Sequence, residues 1–438
     1  MINSLIKWWR SQQFSIALKQ GNTRLAEQLL KKIQKSRARL SFLEKLFQAK
    51  LQSDRSAYEH KKEAVTLQRQ LSQALQRIEE LEQNEGFEQS AASLFKPAPQ
   101  LIHHISNSFK IIQHDEHKLQ CTGIDEFVFD KLESSLVEYL KQEFEKIHPE
   151  RIKLGIKEAH NDIVRLKNGK DPEYNLDLTP HAYFIKYFLN NVYGAYLAWF
   201  LVYKRSLLPT KVNILDIAAG PATMAYGLAL LLQSISKYVQ LPQTHISYYS
   251  LEKQPSFQYR GLQFWRRYIE NQQVKTNAYF RFDTTDIFAS DDKLNKLPQD
   301  FFDFIVISHC FFSEPEQRLK SYNIYKQIFS NCLQTKGYAL LIIQGSKLFK
   351  FYNKTPSENT SQEDNTVRKF VEELGLNLEW YSYITSTGRR TSMKSEFSKF
   401  ADDNLPAQKQ MLPLMQHYLG IKHGLNYVLD DYVILAKK

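Results

Sequence analysis

The stretch that most limits what this chain can fold into is Lys211-Val-Asn-Ile-Leu-Asp-Ile-Ala-Ala-Gly-Pro-Ala-Thr-Met-Ala225. Its β-branched and apolar run, Val212 to Leu215, reads as a buried strand that Asp216 closes. A tight turn of small residues follows through Ala218, Ala219, Gly220, Pro221 and Ala222, and the apolar segment from Met224 to Leu232 reads as a helix. Strand, small-residue turn and helix is the arrangement that lets backbone N–H groups at a helix N-terminus approach a nucleotide-like ligand. A plain strand-to-helix connection has the same outline, so the stretch predicts geometry before it predicts function.

What surrounds it is sized for several units. At 438 residues the chain has room for two or three domains, and 43% hydrophobic against 24% charged residues supports a large core rather than global disorder. Three widely spaced cysteines, Cys121, Cys310 and Cys332, make no disulfide framework and point to a reducing compartment. No apolar run approaches the roughly 20 residues that span a bilayer. Lys7 and Arg10 break what would be the apolar part of a leader, so the expected location is the cytoplasm.

The formal net charge of +11 is unevenly spread, since residues 1–62 alone carry a net +10. Residues 1–84 therefore read as a basic helical or coiled-coil arm, with heptad-like spacing from Ala26 through Phe47 and again, in shifted register, from Ala64 to Leu81. Such an arm offers two uses, contact with RNA or another acidic partner and self-association through the coiled coil; the bland alternative is a solvated face. Residues 85–100, with Gly86 and the pair Pro97 and Pro99, read as a linker, and 101–205 as a largely helical cap. Near the start of that cap His103, His104, His114, Asp115, Glu116, His117 and Cys121 crowd together, but no pair has a closed metal spacing, so no metal is assigned. Tyr183, Tyr187, Tyr193, Tyr196 and Trp199 follow on an apolar helix. That helix is either core or an aromatic wall over a pocket.

From 206 to 438 strands and helices alternate, with strands expected at 212–216, 246–251, 278–282, 303–308, 337–343, 376–384 and 431–436. Residues 386–430 read as an insertion between the last two, and 345–365 as a polar loop beside the site. Glu252 ends the second strand, where an acid can accept hydrogen bonds from two ribose hydroxyls. Its distance from Gly220 exceeds the usual ~20 residues, so the first helix or the loop near Gln240 must be extended.

These residues resemble the first motif of class I S-adenosylmethionine-dependent methyltransferases, hydrophobic-hydrophobic-Asp-x-Gly-x-Gly-x-Gly, over roughly residues 180–438. Ala218, Gly220 and Ala222 stand at the three glycine positions, and alanine carries a penalty wherever φ is positive. The resemblance implies a Rossmann-like seven-stranded α/β sheet whose last strand inserts antiparallel, preceded by the helical cap and the arm. It implies S-adenosyl-L-methionine as cofactor, with Asp216, Ala218, Gly220, Ala222 and Glu252 around it. Asp286 falls where the family places an acid on the adenine amino group, with Asp283 as the fallback. Ser308 closes the fourth strand facing the transferable methyl.

His309 is the candidate general base. Cys310 lacks the proline context of a pyrimidine-attacking cysteine, and the segment from Ser308 to Glu314 lacks the Asn/Asp-Pro-Pro-Tyr motif of amino-adenine methyltransferases. A fainter similarity, in the tyrosine helix and the end of strand four, is to methyltransferase-like assembly factors of the mitochondrial small ribosomal subunit. Three functions therefore stand open: methyl transfer to RNA or a ribonucleoprotein, an assembly scaffold with weak or no activity, and a methyltransferase for a small molecule or glycan precursor whose coiled coil only oligomerises.

Overall fold

The computed structural model describes residues 10–11, 13–14, 16–17, 22–35, 93–165, 172–241, 245–272, 277–288, 294, 296–390, 397–421 and 425–438. The expected second half of the arm and the linker before residue 93 lie outside them. The chain divides into two units, Met1–Ser90 and Ala91–Lys438. In the first, helix α1 (Thr23–Lys35) starts where the Asn22 side chain accepts the Leu25 N–H (3.1 Å). It buries Ala26, Leu29, Leu30 and Ile33 with Phe14 and Ala17.

In the second unit all seven expected strands are present: β3 (Lys211–Ile217), β4 (His245–Glu252), β5 (Asn277–Thr284), β6 (Phe302–Ser308), β7 (Leu333–Gln344), β8 (Asn377–Thr385) and β9 (Asp430–Lys437). The first five are parallel in the order β5-β4-β3-β6-β7, and β9 inserts antiparallel between β7 and β8. This is the class I methyltransferase order. The chain reverses its direction of winding at β3, so the crevice between the carboxyl ends of β3 and β6 is the topological switch point.

Two further strands correct the count from seven to nine. β1 (Ile111–Gln113) and β2 (Lys118–Cys121) form a hairpin, and β2 pairs in parallel with β8, Leu119 opposite Ile384. The expected cap is thus not purely helical. Strands of three and four residues are too short to display a period of two, and the partner that fixes them lies some 260 residues away.

Both faces of the sheet are covered, which explains the near-continuous apolar strands. Along β3, β6 and β7, Ile214, Val306 and Leu340 point to one layer and Leu215, Ile305 and Leu341 to the other. On the first face α2 (Leu189–Lys204) lies against α3 (Thr223–Ser236), so closely that a Cβ on Gly227 would stand 2.6 Å from the Ala195 methyl. Tyr193, Tyr196 and Trp199 are core, with polar ends satisfied: Trp199 Nε1 donates to the Met224 carbonyl (3.0 Å) and Tyr196 to Ser234 (3.0 Å).

The stretch 345–365, expected as a polar loop, is mostly helical: α4 (Gly345–Phe351), then α5 (Thr360–Glu373), which Asn359 caps through the Ser361 and Gln362 N–H groups. Apart from the fully buried Glu363, its polar residues are a cap and an exposed face rather than a loop signature. Between β8 and β9 lie α6 (Phe397–Asn404) and a short helical segment from Leu412 to Leu419. This insertion is docked by Glu133, whose carboxylate accepts the Gln410 and Met411 N–H groups, both at 2.8 Å.

Candidate active site

At the end of β3 the backbone itself forms the site. Ala218 (φ +55°), Gly220 (φ +55°) and Ala222 (φ +62°) are all left-handed, and they are the three positions where the motif has glycine. The turn is left-handed at all three positions although two of its residues carry a Cβ, at a cost of about 1–2 kcal/mol each. Space over Gly220 is open, with nothing within 4 Å of where its Cβ would be. Underneath, α7 (Pro255–Tyr268) presses on the turn: a Cβ at Gly261 would meet the Pro221 carbonyl at 2.5 Å, and Tyr226 donates to the Gly261 carbonyl (2.7 Å).

Glu252 reaches this turn across 32 residues of chain. Its Oε2 accepts the Gly220 N–H (2.8 Å) and its Oε1 the Gln254 N–H (2.9 Å). Each oxygen keeps a further lone pair. Burial raises the Glu252 carboxyl above its ordinary value, against the pull of the Gln254 and Gly220 N–H groups. Beside it, buried Asp216 accepts a short hydrogen bond from Tyr248 on Oδ2, whereas Oδ1 has no partner among the described residues. Burial lifts Asp216 to about 7.

Asp286, just beyond β5, accepts the Phe288 N–H (3.0 Å) and pairs with Lys253 (3.0 Å). Burial opposes its ionisation, but these two partners outweigh it and hold the carboxyl below its ordinary value. Asp283, the fallback, accepts the Thr285 hydroxyl (2.6 Å).

At the end of β6, Ser308 leads into His309, again left-handed (φ +59°), whose N–H donates to the Ile342 carbonyl (2.8 Å). Its Nδ1 stands 3.7 Å from Asp431 Oδ1. Burial and then the Lys347 charge push His309 down to about 4, while burial lifts both Asp430 and Asp431 to about 7. Tyr383 donates to Asp430 (2.5 Å). Cys310 receives the Tyr325 hydroxyl on its carbonyl (2.9 Å), as a packed lining residue would.

The tyrosine helix divides between its two expected roles. Tyr183 ends a short helix (Thr179–Tyr183), and a π-helical turn, Phe184–Phe188, carries Tyr187. Such turns recur at functional sites. Tyr183 and Tyr187 lie 5.8 Å apart, and Tyr183 and Tyr174 both meet Phe257 edge-on at 5.2 and 5.9 Å. Tyr174 is held by its N–H on the Asp162 carboxylate (2.9 Å). Burial, then its neighbours Tyr183, Cys310, Tyr187 and Glu252, push its phenol far up.

Five residues were not legible in sequence: Tyr248, Lys253, Tyr174 and the pair Asp430–Asp431. Only the pair left a signal, two adjacent acids opening an apolar strand. The crowded histidines of the cap go to local partners, His104 to Asp125 (3.0 Å) and His114 to Gln120 (2.7 Å), and His117 stacks on Tyr381. Among the described residues no group of three His, Cys, Asp or Glu could hold a metal ion, and no helix is long and apolar enough to cross a membrane.

No model of a known protein family matches the chain, and no protein of curated function does. Among solved structures it is similar to a SAM-dependent methyltransferase from Methanosarcina mazei, at 14% identity and TM-score 0.30, covering 54% of this chain and 96% of that one. A TehB-like SAM-dependent methyltransferase from Corynebacterium glutamicum gives 13% identity and TM-score 0.29, covering 64% and 98%. The methyltransferase CalH in complex with SAH gives 14% and 0.26, covering 59% and 60%. Likenesses this distant say nothing about activity or acceptor.

Proposed function

We propose that the chain is an S-adenosylmethionine-dependent methyltransferase. The observation that carries this is the turn at the switch point: three left-handed residues at 218, 220 and 222, with the Gly220 N–H on the Glu252 carboxylate and open space above. The residues fit the cofactor. Glu252 retains one acceptor site on each oxygen for two vicinal hydroxyls, Asp216 holds a buried acceptor with no donor, and Asp286 lies at the end of the next strand. When bound, S-adenosylmethionine supplies an electrophilic methyl on a sulfonium. The chain's own part is chiefly positioning and exclusion of water. Tyr174, Tyr183, Tyr187 and Phe257 wall the site, and His309, the candidate base, is neutral near pH 7, while burial that pushes it down to about 4 leaves it only weakly basic.

The acceptor class we favour is RNA or a ribonucleoprotein, on the net +10 of residues 1–62. Removing residues 1–84 should then abolish a salt-dependent RNA affinity; a change in oligomeric mass alone would instead favour a plain coiled coil. Calorimetric titration of S-adenosylmethionine and S-adenosylhomocysteine into the full chain tests the cofactor. Micromolar binding lost in Glu252→Ala is the expected result, and no binding to the unaltered chain would leave a methyltransferase-shaped scaffold.

A further inference from the structure

The carboxyl edge of the sheet, where β6 and β7 end, is bordered by a face on which cations alternate with aromatic rings. The segment after Ser308 leads into a helix, Pro315–Cys332, and β7 runs directly into α4, so both helices start at the edge that holds the candidate site. Arg318, in the first turns of the Pro315–Cys332 helix, donates to the Ser313 carbonyl (3.1 Å) and lays its guanidinium 4.3 Å from the centre of the Phe351 ring. Beside Phe351, the Tyr352 ring has Lys369 Nζ 5.0 Å from its centre. Lys320 leaves the helix about 200° round from Arg318 and lies 5.4 Å from the centre of Phe288. Phe288 in turn meets Phe312, in the segment leaving β6, edge-on at 5.0 Å. Phe288, Phe351 and Tyr352 are all half-buried, so each ring keeps some surface toward solvent.

Among these side chains lies a cavity of about 390 Å³, lined by Arg318, Phe351, Tyr352, Lys354, Lys369 and Glu373. Three cations there face one carboxylate, and that carboxylate is occupied, since Glu373 accepts the Tyr352 hydroxyl (2.9 Å). Lys354 spends one of its three N–H donors on the Thr366 hydroxyl (3.2 Å) and keeps two. Lys354 and Lys369 are exposed, as is Lys350 on α4. Glu314, ahead of Arg318, caps its own helix through the Glu316 N–H (2.8 Å). The lining is therefore positive and open to solvent, with a floor of aromatic rings.

We propose that this face holds the backbone of a single-stranded RNA at the β6 end, with one phosphate seated among Arg318, Lys354 and Lys369. A positive groove interleaved with part-exposed rings is what single strands bind, phosphates to the cations and bases to the ring faces. An acidic peptide uses the charges and leaves the rings idle. The cavity is also larger than a bare ion needs, which suits one unit of a chain. The inference rests on the RNA reading of the acceptor. It gives that reading a surface on the unit that carries the sheet, independent of residues 1–84.

The test is fluorescence anisotropy of a labelled, mixed-sequence single-stranded RNA of ~12 nucleotides with the full chain, across a salt series. Lys354→Gln with Lys369→Gln is compared with Lys153→Gln with Lys157→Gln, an equal change of charge on the exposed face of the helix Pro149–Ile163. The first pair should flatten the salt slope by about 1.4, at ~0.7 per phosphate contact, and weaken binding about tenfold at ~0.1 M salt; the second should do neither. Photocrosslinking of a thiouridine-substituted RNA should label residues 351–354. Equal effects of the two pairs, or crosslinks confined to residues 1–84, overturn the proposal. Displacement of the RNA by polyglutamate as readily as by unlabelled RNA overturns it too, and marks the face as one for an acidic protein. S-adenosylmethionine should bind both paired variants with the parent's affinity. A parent that binds RNA here but no cofactor would sink the methyltransferase reading alone, so the two failures are separable.

Discussion

Replacing Ala218 by glycine should stabilise this protein, which is the reverse of what glycine does at most positions. Ala218 sits at φ +55°, where an L-residue's Cβ crowds the following carbonyl at about 1–2 kcal/mol. Glycine escapes that cost but brings a looser unfolded chain, worth about 0.4–1 kcal/mol the other way. Ala218 is half-buried, so little packing is lost with its methyl. The balance is a gain of about 0.5–1 kcal/mol. Ala222 is the internal control. Its φ is +62°, but it is only 6% exposed, and giving up a buried methyl at about 0.8 kcal/mol consumes the gain. Ala222→Gly should therefore be close to neutral. Urea unfolding of the three proteins reads both values through the midpoint at constant slope. If Ala218→Gly lowers the midpoint by the equivalent of 1 kcal/mol, the turn is not left-handed there, and the cradle built on it falls with it.

Three further outcomes follow from buried charge. Arg390 is fully buried on Glu363 and Asp115, both at 2.7 Å, and Glu363 has no exposure at all; Arg390→Met should cost about 3–5 kcal/mol by leaving that carboxylate unpaired, and a loss below 1 kcal/mol in urea unfolding refutes the network. Asp431→Asn should remove the step near pH 7 from the NMR titration of the His309 ring, leaving the step near 4; a titration identical to the parent's would show the two groups uncoupled. Stability should fall as pH rises through 7: Asp216, Asp430 and Asp431, lifted to about 7, keep protons the unfolded chain has lost, so their contribution is full below the unfolded carboxylate range and gone above about 7. His181 and His309, pushed down to about 4, work oppositely between about 4 and 6.5, so the slope is shallow there and steepest just above; a urea midpoint that climbs from pH 6.5 to 8 would contradict this.

The seven strands of the sheet could be read from sequence because each lies between covered faces and must be apolar on both, so that Val212 to Leu215 or Phe304 to Ile307 cannot be much else. Glu252 could be placed because a strand end is a local property. The rest depends on pairings that local pattern does not encode. β1 and β2 acquire meaning only from β8, and Asp431 reaches His309 only because β9 runs antiparallel, which carries the start of the last strand to the same edge as the ends of β6 and β7. The motif alanines make the same point in the other direction. Read as residues, Ala218 and Ala222 are departures that weaken a cofactor reading; as backbone, they adopt the left-handed angles that glycine would have supplied, and the chain tolerates the strain. Strain persists where surroundings over-determine it. Here Pro221 is pinned under Gly261, Gly220 is bonded to Glu252, and the Ala219 N–H is fixed on the Leu251 carbonyl (3.1 Å), so the turn is held from three sides in the shape a ligand would need.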